Sequence, residues 1–552
     1  MKKIHIGIED FKIIKENYYY VDKTLFLNEI IDSSESSVML FVRPRRFGKS
    51  LMLSMVDYFF NDKYNSKDLF LDTKIYSSRN DLNNYMNKIN VIHLNFKAIS
   101  SNSFEDFISR MKEKTIDLYI QQIKNLNFND LDNYYKEYIN KIINNNFTYN
   151  DLIISLDRLL FLVYKLNNKK SLILIDEYDA PIQNSFNNNY FDEVRNFFRD
   201  YLGSALKGNE YLYKAILAGV NQVAQTSIFS DLNNLYVNNV LSNNEEYFGF
   251  TEIETKQLLD YYNYKDDFSK ILLWYGGYKF QNEFVVNPWS IMYFIKNNFE
   301  FKNYWSNTGS YIFINEALGY ITNNSYQSLY SLLDDDVVVA IIKETMAFND
   351  LNELNTLYSL LLFSGYLTYE KSIIPGQVLL KIPNNEIKES FKEDILIKYV
   401  KNDQIVNLYK LKKAFIEGNE DIIGNIISDY FLTCFSYYDL SSEKIYQIIM
   451  VTLLASMFDE CIVKSEVNEG LGRCDIFLRS KNNNDLAIVI EIKRLASYKT
   501  ETILNNSALT ALKQIKKKNY LEEALKLKSK KIIAYGIAFT GKHSKVVKER
   551  IN

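Results

Sequence analysis

Gly48, Lys49 and Ser50 close the segment RPRRFGKS (residues 43–50), which follows the apolar run VMLFV from Val38. That order of residue types suits a polyphosphate. A glycine lets the backbone approach phosphate oxygens, a lysine reaches the β- and γ-phosphates, and a serine hydroxyl ligates Mg2+. A helix opening near Lys49 adds the favourable end of its dipole. The full phosphate-loop pattern asks for glycine where Arg43 stands, so the match is to its carboxyl half. Arg46, Phe47 and Leu51 flank the three and complete the candidate nucleotide contact. Further along, LILI from Leu172 runs into Asp176 and Glu177. A strand-end aspartate suits Mg2+, held together with Ser50, and the adjacent glutamate suits polarising an attacking water. Such a pair could merely end a strand at the surface. Two such motifs, each after its own buried strand, argue against that.

A different chemistry is spelled near the carboxyl terminus. In IVIEIKR (residues 488–494) the alternation of a strand puts Glu491 and Lys493 on one face and Ile488, Ile490 and Ile492 on the other. Asp475, in CDIFLRS, is expected on the neighbouring strand of a hairpin, converging with Glu491 on a divalent cation. Hard Mg2+ prefers carboxylate oxygens and water. Asp475 and Glu491 are therefore candidate metal ligands, and Lys493 would activate the attacking water and offset charge on the scissile phosphate. D…E-x-K after a hairpin is the PD-(D/E)XK nuclease arrangement. A salt-bridged amphipathic edge strand would carry the same letters.

The elements that must position these residues are of two kinds. VMLFV, INVIHLNF from Ile89, LILI and YKAILAGV from Tyr213 read as buried strands, with apolar-periodic helices over 104–120 and 191–206 between them. Alternation predicts an α/β fold, a parallel sheet with helices on both faces, with Lys49 and Asp176 at the carboxyl ends of adjacent strands. From about Thr251 the pattern becomes mostly helical. Residues 360–386 read as a helix end followed by a β-hairpin, which suits a winged-helix-like module. A helix over Glu443–Met457, the CDIFLRS/LAIVIEIKR hairpin, a helix over 506–527 and the strand KIIAYGIAF from Lys531 give an αββαβ order. The expected division is a P-loop ATPase domain over 1–250, a helical and winged-helix-like region over 251–400, and an α/β nuclease-like domain over 401–552.

Composition bounds the rest. With 552 residues, 47% apolar, the chain can bury a sizeable core. Three cysteines cannot make a disulfide framework, and the three histidines, His5, His93 and His543, have no zinc spacing. The start MKKIHIGIEDF lacks the apolar stretch of a secretory signal, and no run is long enough to span a membrane. A soluble, cytoplasmic protein is the expectation. The net charge of −3 gives no global attraction for nucleic acid, but Lys513, Lys516, Lys517 and Lys518 form a local basic stretch. The 43 Tyr and 36 Phe fit the usage of an AT-rich genome and carry no functional weight.

VDKT (21–24), RPRRFGKS, LIDEYDAP (174–181), AGVNQV (218–223) and SDLNNL (230–235) together resemble a predicted bacterial AAA-ATPase-like family. The resemblance continues through GGYKF, NPWS, YWSNTGS (304–310) and FSGYLT and covers roughly residues 6–386. Members share the R-P-R-R-F-G-K-S loop, so Arg43 belongs to the pattern. The resemblance implies ATP and Mg2+ as cofactors and a sensor position near the end of AGV. Asn221 is the candidate there, with an ordinary turn asparagine as the alternative. Arg195 and Arg199, four apart on a helix, are an arginine finger or a solvated face. The sequences G-x-G-R-x-D (470–475), EIKR, ALKQI…Y (511–520) and GIAFTGK (536–542) resemble the PD-(D/E)XK nuclease domain often fused to this family, over residues 441–548. That implies a further acid before the G-x-G-R turn: Glu466, with Glu469 as competitor and Glu443 from an upstream helix. Gln514 falls where related nucleases place a polar substrate contact, with a cap on the core as the alternative. The expected function is an ATP-binding and ATP-hydrolysing protein fused to a Mg-dependent nuclease acting on DNA. The alternative is an ATP-dependent signalling or regulatory switch whose nuclease-like domain binds nucleic acid or protein without cutting. Nucleic acid is the expected partner, a membrane is not, and self-association into a homo-oligomer is left open.

Overall fold

Val38–Val42 (β1), Asn90–Asn95 (β2), Ser171–Asp176 (β3), Leu212–Gly219 (β4) and Leu235–Asn238 (β5) form one five-stranded sheet whose pairings are all parallel. β1 and β3 are buried at every position. Runs covered on both faces are what a parallel sheet between helices demands. The helices Lys49–Phe60, Phe104–Ile123, Ser155–Asn167 and Phe191–Leu206 supply that cover with regularly spaced apolar residues. The computed structural model describes residues 2–33, 38–97, 99–123, 131–220, 229, 232–242, 247–280, 283–305, 312–319, 328–329, 332–334, 337–343, 350–374, 376–391, 405–435, 440, 442–458, 461–469, 472–481, 485–496, 500–527 and 529–551.

The strand order is β2-β3-β4-β1-β5, which corrects one expectation. β4 lies between β1 and β3, so Lys49 and Asp176 do not follow adjacent strands. Parallel neighbours are joined by long crossovers, and nothing local in a strand's sequence names its neighbour. The register nevertheless brings the three ends level: Val42 pairs with Gly219, and Ala218 with Asp176.

Beyond Thr251 the chain is less purely helical than expected. Phe250–Thr251 (β6), Tyr278–Phe280 (β7) and Glu283–Val286 (β8) form a small antiparallel sheet in the order β6-β8-β7. Strands this short show no readable alternation. Val338–Ile341 (β9), Thr368–Ile374 (β10) and Gln377–Lys381 (β11) form another, ordered β10-β11-β9, with the β10–β11 hairpin after the helix Leu354–Ser364.

The remaining sheet is mixed: Cys461–Glu469 (β12), Gly472–Ser480 (β13), Leu486–Leu495 (β14), Lys531–Thr540 (β15) and His543–Arg550 (β16) stand in sequence order. Only β14 and β15 pair in parallel. Ile476, Leu478, Ile488, Ile490 and Ile492 pack with the helices Ile405–Glu417, Glu420–Cys434 and Glu443–Met457. Phe477, Ala487, Val489 and Ala534 pack with Leu512 and Ile515 of the helix Glu501–Lys517. The expected αββαβ core is present, with β12 and β16 added at its edges. The helix expected over 506–527 starts earlier and breaks before a short helix, Glu522–Lys526. The chain divides into two compact units, residues 1–321 with 331–391, and residues 322–330 with 392–552. Among the described residues no helix is long and apolar enough to cross a membrane.

Candidate functional site

β1 ends in a loop that curls through left-handed conformations at Arg46 (φ 70) and Gly48 (φ 81) before the helix Lys49–Phe60 begins. Glycine takes that conformation freely. Arginine does not, and Arg46 is held there with its guanidinium 3.7 Å over the ring of Trp289. Lys49 Nζ donates to the loop's own carbonyls, Arg43 O at 2.9 Å and Pro44 O at 2.8 Å. Burial pushes the Lys49 ammonium down to about 8, against the opposing pull of Asp179 and then Asp176. Phe47, Gly48, Lys49, Ser50 and Leu51 line a cavity of about 660 Å3, within the range of small-molecule sites.

Across that cavity stands the end of β3. Asp176, 2% exposed, accepts the Glu177 backbone N–H at 3.0 Å and Asn95 Nδ2 at 3.5 Å, and it does not line the cavity. Glu177 and Asp179 do. Glu177 sits at φ 51, and burial together with the Asp176 charge raises its carboxyl. Asp179 is a residue that sequence reasoning missed. Its carboxylate accepts Gln183 Nε2 at 2.8 Å and the Val220 N–H at 3.2 Å, tying the end of β3 to the end of β4. The signal is an acid three residues after Asp176 in IDEYDAP. Asn221 lies outside the described residues. Arg195 pairs with Asp192 at 2.8 Å and Arg199 with Asp200 at 3.0 Å, ion pairs of a helix surface.

Arg43, at the position of the missing glycine, is fully buried. It donates to Val42 O at 2.9 Å, to Asn238 O at 3.0 Å and to the Asn238 side chain, and lies 4.9 Å from the Phe248 ring and 5.4 Å from that of Phe280. It therefore fastens the loop to β5 and β7. Phe47 packs on Tyr278 and Phe280, and a Cβ on Gly365 would come within 2.9 Å of Pro44. The GGYKF, NPWS and FSGYLT segments thus converge behind the phosphate loop. Glu386 locks them together. Fully buried, it accepts Ser290 Oγ at 2.7 Å and the N–H groups of Tyr304 and Trp305 at 2.7 and 3.0 Å, and burial pushes its carboxyl up to about 8. In VDKT, Asp22 accepts the Thr24 N–H at 2.8 Å and hydroxyl at 2.6 Å, and Lys23 pairs with Glu254 at 2.5 Å.

In the second unit β14 is no edge strand: it is flanked by β13 and β15 and buried from Leu486 to Ile492. Ile476 pairs with Ile490, so Asp475 stands across from Glu491, and the Asp475 carboxylate accepts the Ile492 N–H at 2.7 Å. Glu491, 2% exposed, accepts Lys493 Nζ at 3.3 Å and Gln514 Nε2 on Oε1. Its Oε2 is buried with no partner among the described residues. Burial first, then the Asp475 charge, pushes the Glu491 carboxyl up to about 7. Lys493 also lies 3.8 Å from Glu443, whose carboxylate accepts the Arg494 N–H at 2.9 Å. Burial lowers Lys493, but the two glutamates outweigh it and hold the ammonium above its ordinary value. Of the other acids, Ser465 pairs with Ile476 and Val467 with Cys474, which sets Glu466 opposite Asp475 in the β12–β13 register. Glu469 pairs with Gly472, at the hairpin end. Among the described residues no group of three or more His, Cys, Asp or Glu side chains is placed to hold a metal ion. The Asp475–Glu491 pair is nonetheless chemically suited to a hard cation. It sets two carboxylates side by side, with an orphaned oxygen and a proton that a cation would displace.

Residues 5–229 match the family model described as predicted AAA-ATPase, and residues 441–549 match that of the PD-(D/E)XK nuclease superfamily. An uncharacterized protein of Azotobacter chroococcum mcd 1, described by its place in the vnfD 5' region, is 25% identical over 405 residues, 72% of this chain and 71% of its own.

Proposed function

We propose that this chain, with its predicted AAA-ATPase segment and its PD-(D/E)XK nuclease superfamily segment, hydrolyses ATP in the first unit and cuts DNA phosphodiester bonds in the second. Lys49 leaves the loop carbonyls for the β- and γ-phosphates, and Gly48 lets the backbone approach them. Ser50 would hold Mg2+ with Asp176 reaching it through water, and Glu177 would receive the proton of the attacking water. In the nuclease-like unit Asp475 and Glu491 would hold the cation, with Glu466 on β12 the candidate for a further ligand. Mg2+ bound there would lower the pKa of a water and neutralise charge on the scissile phosphate. Lys493 orients the nucleophile and faces the phosphate, while Gln514 fixes the Glu491 carboxylate. The exposed lysines of the helix Glu501–Lys517 and its end hold the DNA backbone without reading bases. The proposed setting is the cytoplasm.

One observation carries the nuclease reading: the buried Glu491, with an unpartnered oxygen, abutting Asp475 on a strand covered on both faces. Lys493 and Gln514 both serve Oε1, and burying the second carboxylate oxygen unpaired is expensive unless a cation takes it. The deciding experiment incubates purified protein with single- and double-stranded DNA, Mg2+ or Mn2+, with and without ATP, beside the Asp475→Ala variant. Metal-dependent cutting by wild type alone supports the reading. Equal cutting by both points to a contaminant or another site, and no cutting by wild type favours the non-cutting switch.

A further inference from the structure

Arg46 lies two residues before Gly48 and lines the same cavity as Gly48, Lys49, Ser50 and Glu177. It is half-buried, and among the described residues its guanidinium makes no hydrogen bond and no ion pair. Burial, then the neighbouring Arg45 charge, hold it below its ordinary value, and the more distant pull of Glu9 and Glu177 does not make this up. Its backbone is in a conformation that arginine rarely takes, φ 70. An unpaired cation, a second cation beside it and a strained backbone are three costs in one residue. An apolar side chain would pack there with less expense, so packing alone does not account for it.

What holds the guanidinium is the Trp289 ring, 3.7 Å away. That ring is itself fixed. Asn287 Oδ1 accepts the Trp289 N–H at 2.9 Å, the indole N–H donates to Tyr304 O at 3.0 Å, and Tyr293 packs on the ring at 4.8 Å. A guanidinium lying on an aromatic face spends no N–H on it. Its five donors project in its own plane and stay available to an anion.

We propose that Arg46 is a catalytic residue of the ATP hydrolysis described above, an arginine finger supplied in cis by the phosphate loop, with Trp289 as the residue that positions it. This rests on the nucleotide reading of that loop. The oxygen of water bonds to the γ-phosphorus as the bond to the β–γ bridging oxygen breaks, and that electron pair leaves with ADP. The proton of the water goes to Glu177. Negative charge gathers on the bridging and γ-oxygens, where Lys49 and Arg46 offset it. Arg195 and Arg199 are paired on a helix surface, and the loop arginine makes a finger from a second copy unnecessary.

The test measures Mg-ATP affinity and turnover of the full chain and its variants. Arg46→Asn removes the guanidinium and keeps a residue that tolerates the left-handed backbone. Its kcat should fall about 10²-fold or more while the Kd for ATP stays within about threefold. Should it fail to fold by circular dichroism, Arg46→Lys serves in its place: the charge stays, the planar fork goes, and kcat should still fall about tenfold or more at unchanged Kd. Trp289→Leu should lower kcat about tenfold, and Trp289→Phe, which puts a ring back under the cation, should recover most of it. Equal losses in the two would overturn the positioning role. Arg46→Asn mixed with Glu177→Gln should stay as inactive as either alone, and recovered turnover would show an arginine acting across copies and overturn the cis assignment. Near-normal kcat in Arg46→Asn, or a loss confined to Kd, overturns the proposal and leaves the ATPase standing. Absence of turnover in wild type removes the ATPase reading itself, and this proposal with it.

Discussion

Replacing Glu386 by glutamine should abolish a pH dependence of stability confined to the first unit. The carboxyl is fully buried and raised from 4.5 to about 8. Between those values the folded state binds a proton that the unfolded state has released. Stability is therefore fully present below 4.5 and lost as pH rises toward 8, after which the loss is constant. At about 1.4 kcal/mol for each pH unit between the two values, the whole window is worth on the order of 5 kcal/mol, and the stretch from pH 5.5 to 7.5 about 2–3 kcal/mol. Glutamine keeps an oxygen for the Tyr304 and Trp305 N–H groups and carries no charge. The three tryptophans, Trp274, Trp289 and Trp305, all belong to this unit, so their fluorescence during urea unfolding reports it selectively. The variant's stability relative to wild type should grow by about 1.4 kcal/mol per pH unit across the window. Parallel pH profiles, or a difference that shrinks with rising pH, would refute the reasoning.

Lys49→Ala should weaken Mg-ATP binding at least tenfold by equilibrium dialysis, and Glu177→Gln should keep ATP while turnover falls about 10²-fold or more; wild-type turnover in Glu177→Gln would remove that residue from the reaction. Asp475→Ala and Glu491→Ala should each lose Mn2+ binding by calorimetry together with DNA cutting. Lys493→Ala should keep Mn2+ binding and lose about 10²-fold in cleavage rate, and loss of the metal in that variant would contradict its placement beside the phosphate. Changing Lys513, Lys517 and Lys518 together to glutamine should lower DNA affinity and reduce the salt dependence by about three phosphate contacts, equally for unrelated sequences. Lys516, paired with Glu549 at 2.6 Å, should matter less.

What the sequence discloses follows from how locally each feature is written. VMLFV, LILI and the helices at 104 and 191 announce themselves because a strand buried on both faces must be continuously apolar and a covered helix must be periodic. The Glu443–Met457 helix is legible to the residue for the same reason. β12 escapes because CIVKSEVNE is half polar, as an edge strand is, and β16 because HSKVVKER has few apolar positions. The place of β4 between β1 and β3 is a long-range fact with no local signature. At the sites, a candidate constellation is legible where one short motif holds it, as in GKS or EIK. It is illegible where partners lie far apart in the chain. Nothing beside Arg43 foretells Asn238, and nothing in NPWS foretells Glu386.

The way Arg43 and Pro44 are held has a consequence for the order of synthesis. Asn238, Phe280, Trp289 and Gly365, which fix the loop's shape, emerge from the ribosome roughly 190 to 320 residues after it. A nascent chain can fold β1 and its helix early, as local contacts form first and distant ones are slow. Its loop stays unbraced until Gly365 has cleared the exit tunnel. The shape of the loop therefore arrives late and all at once, and a chain cut after residue 229, though it carries the whole segment that matches the predicted AAA-ATPase model, is born without the brace that shapes it.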